Sequence, residues 1–317
     1  MSRFGRRANG RVALTVISLL ILVFVPVQGK VVSLETDFAS PVSTGIGGRT
    51  MLVEEITATW CPSCAEIDPE LMMVADSHGS RIGLIALHPT GLAEKDAFEP
   101  PASQHRIDRL RLSQPSLGNS TPTFLVEGGE PRVGYDAWAE VQRDILNTEL
   151  ARQQVTELAF EVERTDTGYR ASVTHANLLR SNGTQLTFLV LEHGKEMPSG
   201  AINPGEDIRD RVLIGVAECH VESANITTTI GLLNASVASG CTDSFSVEFE
   251  ALTSWSVLLI HEPTADNIEQ GQRVSTFGAV ELAHRDRASE QDSGSFAGTV
   301  LVAASVLLGM ASLARKK

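Results

Sequence analysis

The hydrophobic positions of this chain fall into distinct regimes. At the start, the uncharged run Val12 to Val25 follows Arg3, Arg6, Arg7 and Arg11. From Met51 to Gln154, strand-like and helix-like patterns alternate. Met51 to Thr57 is nearly continuous apolar sequence with Glu54 and Glu55 embedded, which predicts a central strand covered on both faces. After Cys64, the residues Ile67, Leu71, Met72, Val74 and Ala75 recur at helical spacing, with a stop near His78-Gly79. Arg81 to His88 is the next strand, closed by Pro89. Strand, helix and strand in this length predict a βαβ unit with a parallel pair. Residues 89–120 read as an insertion of one or two helices and a loop near the cysteines. Thr123 to Glu127 and Pro131 to Tyr135, around Gly128-Gly129, predict an antiparallel hairpin. Asp136 to Gln154 predicts a helix capped by Asp136, with Trp138, Val141, Ile145, Leu146 and Leu150 on one buried face.

From Val155 the helical period disappears. Leu158 to Val162, Tyr169 to Val173, Leu186 to Leu191, Val212 to Val216, Phe245 to Phe249 and Ser256 to Ile260 are short apolar or alternating runs between turn residues. They predict a β-sandwich. Residues 285–295 are polar and read as a stalk. Phe296 to Ala314 is a second apolar run, ended by Arg315, Lys316 and Lys317. Its length nearly matches a hydrocarbon core of about 30 Å, and the basic end places the tail in the cytoplasm. Another reading of that end is a sorting signal exchanged for a covalent anchor. The expected organisation is a signal peptide at 1–29, a linker at 30–49, an α/β domain at 50–154, a sandwich at 155–284, a stalk at 285–295, a transmembrane helix at 296–314 and a cytoplasmic tail at 315–317. An uncleaved signal anchor is the alternative at the start. In either form the protein is expected at the cell membrane as a single-pass chain, its body outside the cytoplasm.

Charge changes this picture in one respect. The net charge is −13, and the cations at the two ends leave the middle still more acidic. Phosphate binding needs a basic surface, so nucleic acid is excluded as a partner. Asn119, Asn182, Asn225 and Asn234 begin glycosylation sequons.

The chemistry-bearing stretch is Trp60-Cys61-Pro62-Ser63-Cys64, between the first strand and the first helix. Cysteines two residues apart at a helix start can close a small disulfide. The helix N-terminus favours the thiolate of Cys61, which makes it the nucleophile, with Cys64 as the resolving thiol. No His or Lys lies between them to stabilise the thiolate further. That points to a pair less oxidising than the strongest disulfide oxidants. Four cysteines fit an oxidising compartment, and this pairing leaves Cys219 and Cys241 for a structural bridge.

The segment resembles the active site of the thioredoxin superfamily in three features. These are the cysteine turn, Glu55 six residues before Cys61, and Thr121-Pro122 leading into the apolar strand Thr123 to Val126. The resemblance covers roughly residues 50–154. It implies an α/β thioredoxin-like fold for that part, ahead of the all-β, Ig-like sandwich. It also implies that Glu55 is a buried acid that takes the Cys64 proton, that Pro122 is a cis-proline, and that Trp60, Pro62, Ser63, Thr121 and Pro122 meet the substrate. The whole layout is similar to bacterial outer-membrane and surface proteins that join a thioredoxin-like domain to a small all-β domain.

The expected function is therefore membrane-anchored thiol–disulfide exchange, without cofactor or metal. Its partners would be protein thiols or disulfides, with another protein as redox partner. Two other readings stand beside it: a surface binding or assembly protein with a static disulfide, and a copper chaperone.

Overall fold

The computed structural model describes residues 29–78 and 81–286. In chain order the first half contains β1 (Lys30–Val32), β2 (Val42–Ser43), β3 (Met51–Ile56), α1 (Pro62–His78), β4 (Ile82–Leu87), α2 (Pro101–Ser113), β5 (Thr123–Val126), β6 (Arg132–Val133) and α3 (Trp138–Ala151). The second half contains β7 (Glu157–Arg164), β8 (Gly168–Asn177), β9 (Thr184–Glu192), β10 (Lys195–Glu196), β11 (Ile208–Arg209), β12 (Val212–His220), β13 (Asn225–Ile230), β14 (Asn234–Ser236), α4 (Cys241–Ser244), β15 (Ser246–Glu250), β16 (Trp255–Pro263), α5 (Ala265–Glu269) and β17 (Gly278–His284).

These strands do not sort into one domain per half. A ten-stranded mixed sheet runs β1-β17-β16-β9-β12-β4-β3-β5-β6, with β13 on the free part of β12. A five-stranded sheet, β14-β15-β8-β7-β2, packs against it. The expected α/β thioredoxin-like fold followed by a separate sandwich is thereby overturned: the molecule is mostly β-sheet, with few helices. The join is β4 to β12, parallel, with Val212 opposite Ala86 and the Ala86 N–H donating to the Arg211 carbonyl at 2.9 Å. An open β4 would expose unpaired backbone beside a fully buried strand, and β12 covers it. The segment 30–49, expected as a linker, supplies β1 to β17 and β2 to β7. The membrane placement is also corrected. Among the described residues no helix is long and apolar enough to cross a membrane. The runs 1–28 and 296–314, and the tail 315–317, lie outside those residues.

The long sheet has two differently covered faces. On the first, Phe188, Val257 and Val280 pack with Phe160 and Phe249 of the second sheet and with Phe245 just before β15. Further along it, Val53, Leu84 and Phe124 pack under Ile67 and Leu71 of α1 and Val141 and Ile145 of α3. On the second face α2 spans the join: Ala102, Ile107 and Leu110 sit on Leu52, Ile85, Leu189, Leu213 and Leu258. The insertion thus contributes one helix, and that helix lies across the sheet from α1. The helix expected from Asp136 starts at Trp138 after a 3-10 turn, with Ala137 and not Asp136 at its cap. Trp138, Val141 and Ile145 are buried, but Leu146 and Leu150 are exposed, because nothing described covers the last turns on that side.

Glu54 is fully buried on the second face. Arg106 of α2 donates to it at 2.5 Å and to Glu262 of β16 at 2.8 Å. Arg109 approaches Glu262 at 3.3 Å. Removing one partner of a buried pair leaves an uncompensated charge. Arg106→Ala should therefore cost about 3–5 kcal/mol in urea unfolding, more than an Arg106→Met, Glu54→Leu double variant, which removes both charges. Cys219 and Cys241 are bridged, 22 residues apart and 5.8 Å between Cα atoms, tying β12 to α4. The loop closed by this bridge predicts that Cys219→Ala with Cys241→Ala loses about 3 kcal/mol, read as a lower denaturation midpoint.

Candidate functional site

β3 delivers the chain to the cysteines. The Thr57 N–H donates to the Leu87 carbonyl at 3.0 Å, and the chain then turns into α1. Pro62 occupies the first helical position, where its missing N–H costs nothing. Cys61 stands at the helix start and is bridged to Cys64, with Cα atoms 5.3 Å apart. The Cys64 N–H points at the Cys61 Sγ at 3.2 Å, and the Ser63 Oγ lies 3.4 Å from it. A reduced Cys61 would thus sit where a capping side chain accepts helix N–H groups, which favours its thiolate. Cys61 is 3 % exposed and Cys64 1 %. Trp60 and Leu92 pack against them, Ser63 is half-buried, and Pro62 is exposed.

The loop between β4 and α2 is pinned over this turn by one carboxylate. Asp96 accepts the Thr59 N–H at 2.7 Å, the Phe98 N–H at 2.8 Å and a hydrogen bond from His88 Nδ1 at 3.0 Å. Burial opposes its charge, but the His88 hydrogen bond and charge and the two N–H donors outweigh that and hold it down at about 2. From the second half of the chain, Arg209 donates to the Thr59 carbonyl at 3.3 Å.

Beneath α1 lies a cavity of about 600 Å³. Glu55 of β3, Thr57 just after it, and Ala86 and His88 at the end of β4 form its floor, as the alternation of paired strands dictates. Ala65, Asp68, Pro69 and Met72 of α1 form its roof. Pro69 has no N–H to return to the Ala65 carbonyl, so the helix ladder is interrupted there. Arg209, Asp210 and Arg285 line the far wall. Glu55 is 1 % exposed, and its Oε1 has no hydrogen-bond partner. Burial, then the charge of Asp68, push its carboxyl well above the usual range, against a hydrogen bond with Thr57. Asp68 rises to about 6 through burial, although Arg209 and His88 pull the other way.

Several residues singled out from the sequence come together here. Cys61, Cys64 and Glu55 lie around the start of α1. Thr121-Pro122 is a cis peptide. The β3–β5 register pairs Ile56 with Thr123, which puts Pro122 beside the end of β3, where the cysteine turn begins. Cys219 and Cys241 lie in the other core. Asn119, Asn182, Asn225 and Asn234 are exposed, on loops and on β13 and β14. Among the described residues, no three His, Cys, Asp or Glu side chains converge as a metal site. Sequence reasoning missed Asp68, Asp96 and Arg209. Asp68 lies on the α1 face seven residues after Cys61, a signal that was available. Asp96 sits in coil and Arg209 lies in the other half of the chain, with no local signal.

No protein-family model matches the chain, and no curated protein does. Two solved structures are similar to it. HBP35 of Porphyromonas gingivalis has a TM-score of 0.52 at 17 % identity, over 79 % of this chain and 81 % of that one. Protein AGR_C_4864 from Agrobacterium tumefaciens has a TM-score of 0.44 at 14 % identity, over 73 % of this chain and 93 % of that one. At such identity the HBP35 likeness concerns the fold alone. Its extent includes strands on both sides of residue 155.

Glu55 and Asp68 hold protons more tightly folded than unfolded. The stability this linkage supplies is complete at low pH and is lost as pH rises from the ordinary carboxylate range through the raised folded values. Glu55→Gln should remove its share. Its urea midpoint should fall less than that of the unmodified protein between pH 5 and 8 and lie higher at pH 8.

Proposed function

We propose that the protein is a thiol–disulfide oxidoreductase working through Cys61 and Cys64. The observation that carries this is the Cys61 Sγ at the start of α1, receiving the Cys64 N–H at 3.2 Å. The resemblance of Trp60 to Cys64, Glu55 and Thr121-Pro122 to the thioredoxin-superfamily active site supports it. In the reducing direction, the Cys61 thiolate attacks one sulfur of a substrate disulfide. A mixed disulfide forms, and the other substrate sulfur leaves as thiolate. Cys64 then loses its proton and attacks the Cys61 Sγ. The Cys61–Cys64 bond forms, the second substrate thiolate leaves, and two electrons have passed to the substrate. The reverse sequence oxidises a dithiol. The substrates are protein thiols or disulfides, met by Trp60, Pro62, Ser63, Thr121 and Pro122. A second thiol protein restores the starting redox state.

A second reading has one observation in its favour. Both sulfurs are almost buried, as in a static disulfide of a binding or assembly protein. Equilibrating the protein with glutathione buffers, with Cys61→Ser as control, separates the two. Exchange predicts a potential between roughly −120 and −270 mV, the range of exchange catalysts. A value below about −300 mV, or no equilibration, would mark a structural bridge.

A further inference from the structure

Exchange at Cys61–Cys64 leaves a proton unaccounted for. Cys64 must lose it as it attacks, and Glu55 lines the cavity beneath α1 together with Ala65, the residue after Cys64. Yet Glu55 is buried with no cation among the groups acting on it, and that burial and the charge of Asp68 favour its protonated form. A protonated carboxyl accepts nothing until its own proton has left. The cavity contains the groups that could take it.

His88 is fully buried at the end of β4, and its Nε2 has no hydrogen-bond partner. Its other nitrogen faces the Asp96 Oδ2 at 3.0 Å, an oxygen that already accepts the Thr59 N–H. Asp96 is held as an acceptor, so the His88 Nδ1 carries the hydrogen. In the neutral ring the Nε2 then keeps its lone pair and turns it to the cavity. Asp68 faces the same space from α1 and acts electrostatically on Glu55, as His88 acts on Asp68. A cavity of about 600 Å³ that these three polar groups share has room for water to join them.

We propose that His88, oriented by Asp96, and Asp68 form with Glu55 a proton-transfer site in the cavity beneath α1, receiving the Glu55 proton so that Glu55 can take that of Cys64. This rests on the exchange reading above. The proton passes from the Cys64 Sγ to the Glu55 carboxylate, from Glu55 to the His88 Nε2 or the Asp68 carboxylate, and then to solvent water. No electrons move with it. His88 and Asp68 act through Glu55, so they are positioning residues. The other ionisable groups facing the cavity do not compete for this role. Asp76 and Arg285 are paired with each other, and the His193 Nδ1 is bonded to Asp210 at 2.7 Å. Arg209 is bonded to the Glu206 and Ile208 carbonyls and lies 3.9 Å from Asp68. Glu206 and Asp286 also line the cavity, and the charges of Glu206 and Asp210 add to the rise of Asp68.

The test is stopped-flow resolution of a mixed disulfide on the full chain, between pH 5 and 9, with oxidised glutathione as substrate. The unmodified protein should resolve faster as pH passes about 6, the value to which Asp68 is raised. His88→Ala and Asp68→Asn should each slow resolution at pH 7 roughly tenfold or more and flatten that rise. The first attack by Cys61, read as its alkylation rate, should change less than about twofold, since neither residue touches Cys61. Added imidazole should restore the rate of His88→Ala, which a purely structural loss would not permit. An unchanged pH profile in Asp68→Asn, or a folded His88→Ala that imidazole does not rescue, overturns the inference and leaves exchange standing. Absence of resolution in the unmodified protein overturns both.

Discussion

Two adjacent glutamates lie in a strand with no solvent on either side. Strand alternation sends Glu54 to one face and Glu55 to the other. Neither can hold a lone charge there. Glu54 is met by Arg106, which also reaches Glu262. That ion cluster ties β3 to β16, strands from opposite halves of the chain, and fixes α2 across the join. Glu55 is given no such cation. Burial and the charge of Asp68, against a hydrogen bond with Thr57, favour its protonated form in the cavity floor. One strand therefore separates a charge that holds the sheet together from a proton that is available for chemistry.

The join has a second consequence. β12 closes the open side of β4, and with it come the ends of the neighbouring strands. Arg209, Asp210 and Arg285 are brought to the cavity from beyond residue 200. Arg209 also holds the Thr59 carbonyl in the cysteine turn. The site is thus incomplete within residues 50–154. A βαβ unit positions the cysteines and Glu55, but the wall that encloses the proton belongs to the rest of the chain.

This explains what the sequence could and could not disclose. Cys61, Cys64, Glu55 and Thr121-Pro122 were legible because their meaning lies in short spacings beside strongly patterned elements. β3, α1, β4 and six later strands were legible from their periods. The parallel contact of β4 with β12 was not, because Ala86 and Val212 are 126 residues apart by number and an apolar run carries no record of its partner. The same holds for Arg106 with Glu54 and Glu262. Leu146 and Leu150 misled for a related reason: helical period shows which residues share a stripe, not how much of the stripe another element covers. β1 and β2 are too short, at three and two residues, to leave a pattern at all.

Asp96 links access to chemistry. It holds the loop against Thr59 and Phe98 while fixing the ring of His88. Several donors on one buried carboxylate, His88 and the Thr59 and Phe98 N–H groups among them, keep it ionised far below neutral pH. The loop's anchor is therefore insensitive to pH near neutrality, and Leu92 of that loop packs against the cysteines. What remains open is the Pro62 side of the turn, with Ser63 beside it. On the proposed exchange reading, a substrate sulfur would approach the Cys61 Sγ along that narrow rim, and the proton would leave through the cavity beneath α1. Two separate routes would let a resolving thiol stay dry while its proton still reached water, which is what exchange at a nearly buried pair of sulfurs would require.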